Sequence, residues 1–78
     1  MKPSDILTIY GWIQGRYGGQ DEGYCLMGAI QAAYKSEHRR QKIYHKLHEY
    51  IDGPLWTWND ATRRTLKQVL AVLRKAGL

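Results

Sequence analysis

Apolar residues along the chain recur at helical spacing in four stretches, and capping or breaking residues bound each stretch. In "PSDILTIYG", Pro3 or Ser4 starts a helix, Ile6, Leu7 and Tyr10 share one face, and Gly11 stops it. Trp12, just past that glycine, is placed to fold back on the last turn. In "YCLMGAIQAAYK", Cys25, Leu26, Ala29, Ile30, Ala33 and Tyr34 recur as a buried helix requires, with Asp21 or Glu22 near its positive end. Gly28 inside it costs about 1 kcal/mol relative to alanine, which predicts a close neighbour there, with Trp12 or a tryptophan of residues 55–65 as the candidate. Ser36 caps a third helix from Glu37 to about Ile51, with an apolar stripe of Ile43, Tyr44, Leu47, Tyr50 and Ile51. "DGP" ends it. Thr65 and Gln68 have capping-box spacing ahead of Leu66, Val69, Leu70 and Leu73, so a last helix runs from there to near Gly77.

Between the first two helices lies a segment rich in glycine (Gly15, Gly18, Gly19, Gly23), read as a loop with at most a few extended residues. Residues 1–78 are therefore expected to form one all-α domain, a compact bundle of about four short helices with a Gly-rich loop between helices one and two. In "LWTWNDATRRT" the side chains of Asn59 and Asp60 suit an Asx turn, and Trp56 and Trp58 fall on opposite sides of an extended segment, one plugging the core. Thr65 caps the final helix, which leaves Arg63 and Arg64 facing outward.

Composition adds a bias toward anionic partners. The formal charge is +5 on 78 residues, and the chain has no Phe but three Trp and six Tyr, aromatics with polar handles suited to half-buried positions and interfaces. A domain of this size buries roughly 60% of the surface its unfolded chain exposes, so stability is modest. A single cysteine excludes an internal disulfide. "MKPSDIL" lacks the pattern of a secretory signal, and no apolar run is long enough to span a bilayer; a cytoplasmic location in a bacterial host cell, with no membrane partner, is expected.

The candidate chemistry is thin. Lys35, Arg39, Arg40, Lys42 and Lys46 lie on or beside the third helix, several at spacings of three and four, and such a row suits a solvated face, a phosphate backbone or an acidic protein. Arg63, Arg64 and Lys67 extend this set. His45 and His48, one turn apart with His38 on the same helix, match neither the HExxH nor the HxxEH pattern, so no metal is expected. The order Cys25, His45, Asn59 echoes a cysteine-protease triad, yet the apolar neighbours Leu26 and Met27 suit a buried, inert thiol. No nucleotide-binding glycine motif is present, and no cofactor is expected.

Three blocks, "GWIQG" (11–15), "CLMGAIQAA" (25–33) and "WNDATRRTLKQVLAVLRKA" (58–76), resemble a family of small uncharacterised proteins of actinobacteria and their bacteriophages with the pattern GWxQG, CxxGA and WND followed by RT. The matching positions are Gly11, Trp12, Gly15, Cys25, Gly28, Ala29, Trp58, Asn59, Asp60, Arg64 and Thr65. The chain departs from the pattern in a shorter first helix and a more basic, less alanine-rich middle. The resemblance implies a phage or mobile-element origin and carries no activity with it.

Together these features lead to the expectation of a small non-enzymatic protein that docks on a host protein or nucleoprotein complex and occludes it, as a host-takeover or anti-defence inhibitor would. Direct nucleic-acid binding through helix 35–51 is the first alternative, and a thiol enzyme or redox sensor at Cys25 the second. The aromatic surplus also allows a homodimer.

Overall fold

The computed structural model describes residues 1–78. Its order is α1 (Pro3–Tyr10), β1 (Gly18–Gly19), β2 (Gly23–Tyr24), α2 (Leu26–Ala33), α3 (Glu37–Leu47), α4 (Leu55–Asn59) and α5 (Leu66–Lys75). The expectation of an all-α, four-helix bundle is thus corrected to five helices with a two-stranded antiparallel sheet.

The segment expected to be a loop is where the fold departs most. Gly18 pairs with Tyr24 and Gly19 with Gly23. Trp12 then joins Tyr24 on the other side in a parallel bridge, with Ile13 N–H donating to Tyr24 C=O at 3.0 Å and Tyr24 N–H to Gly11 C=O at 2.9 Å. Two-residue strands made largely of glycine show no alternation of side chains, so the sequence pattern carries no strand signal. Glycine is needed at Gly23 for two reasons: its φ is +91°, and a Cβ there would press on the Gly11 carbonyl at 2.9 Å.

The helices follow their caps. α1 opens on Pro3, Asp5 accepts from the Lys2 N–H at 3.2 Å, and Gly11 closes the helix at φ +98° with its N–H on Leu7 C=O. Ser36 accepts from Arg39 N–H at the start of α3, and Thr65 and Gln68 exchange both bonds of a capping box at the start of α5. α3 stops at Leu47 rather than reaching Ile51, because the chain tightens into three-residue bonds there: Glu49 N–H donates to Lys46 C=O and Tyr50 N–H to Leu47 C=O. Ile51 still enters the core.

All five helices contribute to one apolar cluster or its margin: Ile6 and Leu7 from α1, Leu26, Ala29 and Ile30 from α2, Leu47 from α3, Leu55 from α4, and Val69 and Leu73 from α5. Ile51, Ala76 and Leu78 complete it. Ser4 donates through both its N–H and its Oγ to the Leu78 carbonyl, at 3.2 and 2.8 Å, which fastens the start of α1 to the segment after α5.

Candidate functional site: a polar lock and a cationic helix face

α4 brings Asn59 to the middle of the molecule. Residues 55–59 form a short helix rather than an extended segment closing in an Asx turn, so Leu55 and Asn59, four apart, face inward together. Trp56 and Trp58 still diverge, since two helical steps rotate a side chain by about 200°. Trp56 is 57% exposed, whereas Trp58 packs against the core cluster.

Asn59 is the one fully buried polar side chain, with no exposure at all, and every hydrogen bond it makes except one reaches far along the chain. Its Oδ1 accepts from the Trp12 indole Nε1–H at 2.7 Å and from the Leu26 N–H at 3.0 Å. Its Nδ2 donates to the Ile13 carbonyl at 3.2 Å and to Asp60 Oδ1 at 2.9 Å. One amide therefore ties α4, the first turn of α2 and the segment after α1. The same Asp60 oxygen accepts from Gly15 N–H at 3.0 Å, and Gln14 Nε2 donates to the carbonyls of Asn59 and Ala61 at 2.9 and 3.0 Å. Gln14 has no place among the residues singled out from sequence; its position within the GWIQG block was the available signal. The Trp12 indole N–H takes part in this lock, and its ring packs against the core cluster.

Cys25 is the N-cap of α2, its Sγ accepting from Gly28 N–H at 3.3 Å. Burial pushes its thiol above the ordinary range, the backbone N–H groups of Gly28 and Met27 oppose that shift, and the Asp60 carboxylate reinforces it. The close neighbour of Gly28 is the backbone of Tyr17, whose carbonyl oxygen occupies the place of a Cβ; neither Trp12 nor a tryptophan of α4 is there. Cys25 floors a cleft of about 180 Å3 with Gly15, Arg16, Tyr17, Trp56 and Asp60 around it. His45 lines a different depression, and no hydrogen bond joins it to Cys25 or Asn59, so the three residues do not assemble as a triad.

The basic residues divide in two. Arg40 and Arg64 are used inside the fold: Arg40 Nε donates to Tyr34 C=O at 2.7 Å, and Arg64 Nε donates to Trp58 C=O at 2.9 Å while its guanidinium lies 3.9 Å from the centre of the Trp58 ring. Lys35, Lys42, Lys46, Arg63 and Lys67 are exposed, as is Arg39, which stands 4.9 Å over the Tyr34 ring. The only ion pair of the molecule, Arg16 with Glu22 at 2.8 Å, involves none of them.

On α3 these cations border two shallow depressions. One, of about 200 Å3, is lined by Arg39, Lys42 and Lys46 over Tyr34, Ile43 and Leu78. The other, of about 550 Å3, is lined by His38, Gln41, Lys42, Tyr44, His45 and His48. The histidines lie in an open trough, and no three His, Cys, Asp or Glu side chains of the molecule come together in a way that could hold a metal ion. No helix is long and apolar enough to cross a membrane.

Among known proteins, no curated protein and no solved structure matches the chain. A family model does, described as a family of unknown function, DUF6197, and it matches residues 3–77. That span takes in the hairpin, the Asn59 lock and the basic helix alike, and the chain belongs to this uncharacterised family.

Proposed function

We propose that this is a small non-enzymatic docking protein of phage or mobile-element type, which sets the cationic face of α3 against a host macromolecule and occludes it. The observation that carries the reading is the division of polar groups between inside and outside. Asn59, Gln14, Trp12, Asp60 and Arg64, the groups of the motif blocks that resemble reactive chemistry, are engaged in holding the fold together. Arg39, Lys42 and Lys46 hold nothing together through ion pairs.

Those three positions also carry an intrinsic cost. Arg39 and Lys42 are three apart and Lys42 and Lys46 four apart, and each such like-charge pair destabilises a helix by about 0.2–0.5 kcal/mol. Lys46, in the last turn, recovers some of this from the helix dipole. Arg39, in the first turn, faces the positive end of the dipole and gains nothing there. An anionic partner would turn this unfavourable row into a binding surface.

The test is capture of a partner from bacterial lysate at moderate salt, by the natural chain and by an Arg39→Gln/Lys42→Gln/Lys46→Gln variant. A partner held by the first and lost by the second supports the proposal. Recovery of the same partner by both, or of none by either, overturns it.

A further inference from the structure

Resting on that docking reading, we infer that what α3 touches is the phosphate backbone of a duplex nucleic acid. The outer face of α3 separates this partner from an acidic protein surface. A protein interface needs a desolvated centre, commonly aromatic or aliphatic, inside a polar rim. The outward positions of α3 are Glu37, His38, Arg39, Gln41, Lys42, His45 and Lys46, followed by His48, with no aliphatic or aromatic anchor at their centre. Ile43, Tyr44 and Tyr34 line the two depressions but are half-buried against the core cluster, and the most exposed aromatics, Tyr17 and Trp56, line the Cys25 cleft instead. Phosphates need only cations and hydrogen-bond donors. The face provides these: three cations without ion-pair partners, and His38, Gln41, His45 and His48 interleaved along the adjoining trough. No carboxylate side chain lines either depression.

Spacing and shape fit a duplex better than a single strand. From Arg39 to Lys46 the helix axis advances about 10 Å, and a B-form strand presents a phosphate about every 3.4 Å of axis, so the row faces about three phosphates. Binding a single strand relies on open aromatic platforms along the cationic groove, whereas the rings that border it, Tyr34 and Tyr44, are half-buried against the core cluster, and Arg39 already lies 4.9 Å over the Tyr34 ring. Contacts made to phosphates alone carry no sequence information.

The experiment is fluorescence anisotropy of a labelled 20-base-pair DNA duplex with the full chain, titrated from about 50 to 200 mM salt. Three phosphate contacts give a slope of about −2.7 in log K against log salt, an affinity loss of about 40-fold across that range. Lys42→Gln/Lys46→Gln should cut the slope to about one third, and a control Arg16→Gln, at the cation paired with Glu22 beside the Cys25 cleft, should leave it unchanged; circular dichroism shows whether each variant is folded. No binding at 50 mM salt overturns the inference, as does a slope unaltered by the α3 variant or tighter binding to the single strand of the same sequence. Repeating the lysate capture after nuclease treatment distinguishes the two proposals. A partner that survives nuclease, and is lost only in the α3 variant, keeps the docking reading while overturning the nucleic-acid partner.

Discussion

Replacing Asn59 by alanine should be among the most damaging single substitutions in this chain. The side chain is fully buried, and its removal strips acceptors from the Leu26 N–H, itself in a residue with no exposure, and from the half-buried Trp12 indole. A buried donor left without a partner costs about 1–3 kcal/mol, with the half-buried indole near the lower end, and the Ile13 carbonyl loses its donor as well. The sum is about 3–4 kcal/mol. A domain of this length has about 4–12 kcal/mol in all, so the variant would keep little or nothing at the lower end of that range. With a urea m-value of about 1 kcal/mol/M, the unfolding midpoint followed by tryptophan fluorescence and circular dichroism should fall by about 3 M. Asn59→Asp is the sharper version. It keeps the accepting oxygen but points a second one at the Ile13 carbonyl and at Asp60 Oδ1, both acceptors. Burial and the neighbouring Asp60 carboxylate hold the new carboxyl's folded pKa above its unfolded value, so the protonated form is favoured in the fold. The damage should therefore be greatest at neutral pH and ease as the pH falls toward that of the unfolded carboxyl. A urea midpoint for Asn59→Ala within about 1 M of the natural chain would refute the idea that this amide is the lock.

Gly28→Ala in a helix interior would ordinarily stabilise by about 0.5–1 kcal/mol. Here the added Cβ would land on the Tyr17 carbonyl, so a net loss of about 1–3 kcal/mol is expected, and a rise in the thermal midpoint would contradict the close approach. The raised thiol pKa of Cys25 and its 5% exposure predict slow labelling of the native protein by iodoacetamide at pH 7–8, with fast labelling once urea unfolds it. Because that pKa is raised, the protonated thiol's share of stability is intact below the ordinary thiol range and is lost as the pH climbs through the folded value. Rapid native labelling at pH 7 would instead point to an accessible, activated thiolate.

How much of this was legible in the sequence depended on how local each interaction is. The starts of α1, α3 and α5 were readable because Pro3, Ser36 and the Thr65–Gln68 pair act within one turn of themselves. The buried faces of α2 and α5 were readable because their periods persist over about two turns or more. The hairpin was not, since two-residue strands of mostly glycine have no period and pair through backbone alone. α4 was not either: one turn of helix shows no repeat, and Trp56, Asn59 and Asp60 resemble turn and surface chemistry. Asn59 was singled out, but for a local turn. The groups it holds lie 33 to 47 residues away, apart from its neighbour Asp60, and nothing in the spacing of Trp12, Ile13 and Leu26 announces them.

The same division bears on where function resides. A chain of 78 residues without a disulfide or metal cluster has a small apolar core and must secure its glycine-rich segment in some other way. It does so with one amide that satisfies donors and acceptors from three separate stretches, while Cys25 and Gly28 set the first turn of α2 against the Tyr17 backbone. Residues used like this have little freedom to move protons or bind a substrate, because each bond given to a ligand would be taken from the fold. Arg64 follows the same logic: of the two arginines expected to face outward, Arg63 is exposed, whereas Arg64 lies against Trp58 and braces the entry to α5. What remains unspent is at the surface, and its richest part is α3, where charge repulsion along the helix is offset by no ion pair. If the α3 cations could be neutralised without any loss of the proposed binding, the contact would have to lie elsewhere, with the Tyr17–Trp56 cleft and the apolar depression around Met1, Tyr10 and Tyr24 as the next surfaces to test.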